Sequence, residues 1–188
     1  MSPFQWFIRR FSMFDLAVMA LMSALGIATK PVIVPLAHII TGPLYIPGGV
    51  IAGGFYMMWI VLGTAIVHKK GAGTLIGLVQ AILMLVLGVY GTHGALSLIT
   101  YSLPGLAVDL AMLMAGKWAY EMAGLFLAGI MANLTGTFLS SLVFFRLPLI
   151  PLLLSLSAAS LSGGLGGIIA FQMTRQLIKF EEGGGNEK

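Results

Sequence analysis

The sequence predicts an all-α integral membrane protein, with six transmembrane helices in one bundle and both termini cytoplasmic. Three observations carry that prediction. Of the 188 residues, 59% are hydrophobic and only 9% charged, and the mean hydropathy is +1.01. A soluble domain carries roughly a quarter charged residues, so this chain could not cover itself with polar surface. Six apolar stretches approach the ~20 residues that cross a bilayer, with Gly, Pro and charge between them. The basic residues are also unevenly placed. Arg9, Arg10, Lys69, Lys70, Lys117, Arg175, Lys179 and Lys188 fall on the side of the termini, and only Lys30 and Arg146 on the other. That excess marks the first side as cytoplasmic.

Residues 1–13 read as an interfacial lead-in, with Trp6 and Phe7 beside Arg9 and Arg10, and without a signal-peptide pattern. The first helix runs from Phe14 to Thr29 and is expected to stop at Lys30-Pro31. The next stretch, "VIVPLAHIITGPLYIPGG", holds three prolines with His38 and Thr41, and reads as a re-entrant or capping loop. The second helix spans Gly49 to Val67, the third Ala72 to Tyr90 and the fourth Ala95 to Ala115. The fifth spans Tyr120 to Phe145 and the sixth Leu149 to Leu177, so residues 14–178 form the membrane domain. Residues 179–188 are polar and Gly-rich, and are expected to be a disordered cytoplasmic tail.

Small residues recur four apart on the first helix, at Ala20, Ala24 and Ala28 with Ala17 a turn before, and again in "SAASLSGGLGG" of the sixth. Such faces allow helices to approach closely in lipid. They serve either packing within the bundle or docking of a separate membrane subunit.

Several function classes are excluded or disfavoured. The cationic balance of +4 sits at helix ends, which fits membrane topology and not nucleic-acid binding. There is no cysteine, no His pair at i and i+4 and no carboxylate set spaced for a metal, so no metal site or cofactor is expected. No Walker A sequence and no nucleophile–base arrangement is evident, and the chain does not read as an enzyme.

Polar groups deep in the apolar helices are few. In "PGLAVDLAMLMAGK", Asp109 stands among Leu, Ala, Val and Met. A charge there costs upward of about 2.5 kcal/mol even on the mildest scale, so the side chain faces the protein interior or a cavity. It is either a functional group or a partner of Asn133 or Gln80 between helices. Tyr101 lies two turns before it on the same helical face. Tyr45, Tyr56, Trp59, Tyr90, Tyr101 and Phe138 gather toward the outer side, as an interfacial belt or as walls of a pocket for a planar ring.

The alanine face together with "TGPLYIPGG", "HKKGAGTLIGLVQAILMLVLG" and "LPGLAVDLAMLMAGKW" resembles the S components of energy-coupling factor (ECF) vitamin transporters, and more closely the YkoE type. The resemblance covers roughly Thr41 to Trp118. It implies a non-catalytic subunit in a prokaryotic cytoplasmic membrane that binds a vitamin at the outer side. It further implies a transmembrane T subunit docked on Ala20 and Ala24, and two ATPases that drive uptake. The implied ligand is thiamine or its hydroxymethylpyrimidine precursor, with cobalamin, riboflavin and biotin as alternatives. Asp109, Gln80, Asn133, Tyr101 and Trp59 would contact it, and His38 and Tyr45 would belong to a gating loop. The competing reading is a stand-alone proton-coupled carrier that uses Asp109.

Overall fold

Ser12 starts the first helix with a reciprocal cap. Its hydroxyl accepts from the Asp15 backbone N–H (3.1 Å), and the Asp15 carboxylate accepts from the Ser12 N–H (2.6 Å). Each bond satisfies an amide that the helix itself leaves unpaired. A computed structural model describes residues 10–44, 46–87 and 96–184. Among these residues six helices form: α1 (Met13–Thr41), α2 (Gly48–Val67), α3 (Ala72–Leu87), α4 (Ser97–Ala115), α5 (Met122–Ser140) and α6 (Leu149–Gly184). Short 3-10 turns follow α1 and α4, and α5 continues into a π-helical stretch, Ser141–Phe145. Five of the helices are long and apolar enough to cross a membrane, and α3 is a shorter apolar helix.

Two expected boundaries are corrected. The first helix does not stop at Lys30-Pro31 but continues through Pro31 and Pro35 to Thr41, where a re-entrant loop was expected. Each proline removes one backbone hydrogen bond and crowds the carbonyl four residues earlier. In an apolar surrounding a loop would leave many more groups unpaired, and helix is the cheaper state. At 29 residues α1 is about 43 Å long, more than the ~30 Å hydrocarbon layer. The last helix likewise runs to Gly184, into the stretch expected to be a disordered tail. Lys179, Glu181 and Glu182 are good helix formers and extend the preceding pattern.

The most enclosed helix is α2, which packs against α1, α3, α5 and α6, while α3–α4, α4–α5 and α5–α6 pack as sequence neighbours. The small-residue stripe of α6 serves packing within the bundle. A Cβ on Gly54 would overlap the Ser162 carbonyl, and one on Gly166 the Gly54 carbonyl. Ser162 fastens the seam, accepting from Gly54 N–H (3.0 Å) and donating to the Ile51 carbonyl (2.5 Å). The alanines of α1 differ. Ala17, Ala20, Ala24 and Ala28 are all exposed.

Side-chain contacts show which helix ends lie together. Lys69, after α2, pairs with Asp15 at the start of α1, and His68 stacks on Tyr120 between α4 and α5 with ring centroids 4.0 Å apart. The opposite end of the bundle holds the end of α1, the start of α2 and the π-helical end of α5.

Candidate ligand cavity

That opposite end contains a cavity of about 380 Å³. One face of α1 supplies Lys30, Val34 and His38, four residues apart and therefore stacked on successive turns. The first turn of α2 contributes Gly48, Gly49 and Val50, and its third turn Tyr56. Tyr101 enters from α4, and α5 with its π extension adds Gly136, Thr137, Ser140, Ser141 and Phe145. Thr137, Ser140 and Ser141 share a face at i, i+3 and i+4, so three hydroxyls line one wall.

The charged group in this wall is Lys30. Its ammonium donates to the Tyr101 hydroxyl at 2.5 Å and lies 4.3 Å from the Tyr101 ring centroid and 5.2 Å from that of Tyr56. Both rings present their negative faces to the cation. The Tyr56 hydroxyl donates to the Gly49 carbonyl at 3.2 Å, which fixes that ring against the start of α2. Among the described residues the lining contains no carboxylate. Chemically the cavity combines flat aromatic walls, a cation and several hydroxyls, which is the make-up of a small-ligand site.

The family model described as "ABC-type cobalt transport system, permease component" matches residues 14–135. The chain belongs to this family. It is therefore a transport subunit and not an enzyme. No curated protein matches it. A solved structure described as "Crystal structure of an S-component of ECF transporter" superimposes with a TM-score of 0.75. The two chains are 18% identical, and the match covers 91% of this chain and 87% of the other. The permease component thus has the S-component fold that the sequence resemblance implies.

Of the residues singled out in the sequence, Tyr101 and His38 line the cavity, and Tyr45 lies outside the described residues. His38 does so from a helix instead of the expected gating loop. Three others form a layer just beneath the cavity. Trp59 stands one turn below Tyr56, and Asn133 one turn below Thr137. The Gln80 amide lies against Gly26, one turn before Lys30 on α1. Asn133 is buried and donates to the carbonyls of Val50 and Ala159, both at 2.9 Å, tying α5 to α2 and α6. The Gln80 amide nitrogen and the Trp59 indole nitrogen have no partner among the described residues.

Asp109 is elsewhere. It lies two turns, about 12 Å, from Tyr101 toward the other end of the bundle. Its carboxylate accepts from the backbone N–H groups of Gly73 (3.2 Å) and Thr74 (2.7 Å) and from the Thr74 hydroxyl (2.5 Å). These are the first amides of α3, so Asp109 caps that helix from a neighbouring one. The nearby carboxylate and burial, burial foremost, push the Tyr120 phenol above its usual range.

In the sequence Lys30 reads only as a charge at a helix end. The signal that could have found it is the four-residue spacing of Lys30, Val34 and His38, which becomes visible once α1 is continued through Pro31.

Proposed function

We propose that this chain is the substrate-binding S component of an ECF-type ABC importer. It captures a small aromatic micronutrient in the Lys30–Tyr56–Tyr101 cavity and delivers it with a T subunit and two ATPases. The cavity itself carries this reading: a partly open, aromatic-walled site at the end of the bundle opposite the Lys69–Asp15 pair. In the proposed orientation both termini are cytoplasmic, the excess of basic residues lies inside, and the cavity opens outward.

The uncovered alanine face of α1 supports the partner assignment. Ala20 and Ala24 offer a flat strip on which a membrane helix packs closely. Replacing either by tryptophan should abolish uptake in cells and leave ligand binding by the isolated chain intact. Loss of both together would contradict the docking role.

Of the two expected ligands, the uncharged hydroxymethylpyrimidine suits the cavity better than thiamine, because Lys30 would repel a thiazolium. Cobalamin is far too large for 380 Å³. The family description names cobalt, yet Lys30, His38 and hydroxyls without a carboxylate make a poor set of ligands for a bare divalent cation. The carrier reading draws no support from the cavity, since the carboxylate it needs is engaged at the start of α3.

A further inference from the structure

We propose that the ligand of this cavity carries an anionic oxygen group, a carboxylate or a phosphate, beside its planar ring, and that Lys30 holds that group. The inference rests on the cavity being the ligand site, as above, and names the class of molecule that fits it.

Three observations point the same way. First, the Lys30 ammonium has three donors, and the described residues give it one hydrogen bond, to the Tyr101 phenol, with no carboxylate in salt-bridge reach. A half-buried cation with a single neutral partner favours an anionic one, because charge-assisted bonds are about twice as strong as neutral ones. Second, α2 begins at the cavity with Pro47 as its N-cap and no side chain capping its first amides. The positive end of that 20-residue helix therefore faces the same space as Lys30. Third, among the described residues the charge at this end of the protein has one sign. The six acids are Asp15, Asp109, Glu121, Glu181, Glu182 and Glu187, and the connections over 42–47 and 141–148 contain none of them. Arg146, exposed between the cavity residues Phe145 and Leu147, adds a second cation near the cavity wall. A cation entering here meets repulsion, whereas an anion is attracted and then finds Lys30 with the hydroxyls of Thr137, Ser140 and Ser141 around it.

The test compares matched rings with the full-length chain purified in detergent. The probes are pyridine-3-carboxylate against pyridine-3-carboxamide, and hydroxymethylpyrimidine phosphate against free hydroxymethylpyrimidine. Binding is read by thermal unfolding and tryptophan fluorescence, for wild type, Lys30→Gln and Lys30→Arg. The anionic member of at least one pair should bind about tenfold tighter or better. Whichever pair shows the preference tells carboxylate from phosphate. Lys30→Gln should erase the preference and Lys30→Arg should keep it. Neutral members that bind as tightly as the anionic ones would overturn the proposal and leave the cavity as the ligand site. So would a preference that survives in Lys30→Gln. No binding of any probe to wild type would overturn it as well, and would count against the cavity reading itself.

Discussion

The carboxylate of Asp109 on α4 accepts both the backbone N–H and the hydroxyl of Thr74 on α3, at 2.7 and 2.5 Å. An acid in the middle of an apolar helix is thereby used as the N-terminal cap of its neighbour. The short α3 gains a partner for amides that no residue of its own satisfies, and the positive end of its dipole lowers the cost of the charge. Asp109→Asn should destabilise the folded chain by about 1–3 kcal/mol, read as a lower unfolding midpoint, and leave ligand affinity unchanged. In a double-mutant cycle with Thr74→Val the two losses should be clearly less than additive.

At the α2–α6 seam, sequence spacing alone would treat all glycines of α2 alike. A Cβ on Gly54 meets backbone of Ser162, which cannot give way, whereas one on Gly49 meets only the Tyr56 hydroxyl at 3.6 Å. Gly54→Ala should therefore strongly reduce the yield of folded protein. Gly49→Ala should fold normally, with a gain of up to about 1 kcal/mol from a less flexible unfolded chain.

Asn133 joins three helices through one amide group that donates twice. Asn133→Asp keeps the shape but turns both donations into contacts between like oxygens. It should destabilise more than Asn133→Ala, which loses two bonds worth about 0.6 kcal/mol each on average in membrane bundles. Unfolding midpoints of the two variants in detergent would rank them.

The ion pair of Lys69 with Asp15 is partly exposed on the lysine side. Lys69→Met should cost less than about 1 kcal/mol, and the cost should shrink in high salt. Asp15→Ala removes the capping box as well and should cost more, with a part that salt does not screen.

Helix number and most boundaries were legible because each segment is a long apolar run closed by Gly or charge, and α2 agrees with its expected bounds to one residue. The run through Pro31 and Pro35 reads as a loop because proline ends helices in water, where freed carbonyls find solvent. Inside an apolar bundle they do not, and the helix goes on. A loop over that run would take Lys30 and His38 off the face they share with Val34, and the cavity wall would not form. Asp109 was rightly conspicuous, but its partners are backbone amides of another helix, which no side-chain pattern reveals. Asn133 and Gln80 are expected as ligand contacts, and both are instead buried polar groups outside the cavity lining.

The measurement that tests the central claim most directly is ligand-induced thermal stabilisation of the purified chain, in wild type, Ser140→Phe and Asp109→Asn, with a panel of vitamins and their precursors. A ligand present at a hundredfold excess over its dissociation constant stabilises by about 2.7 kcal/mol, well within reach of a midpoint shift. Ser140→Phe fills the cavity and should abolish the shift without lowering the unliganded midpoint severely. Asp109→Asn should lower the unliganded midpoint and keep the shift. A shift retained in Ser140→Phe and lost in Asp109→Asn would place the ligand at Asp109 and contradict the account.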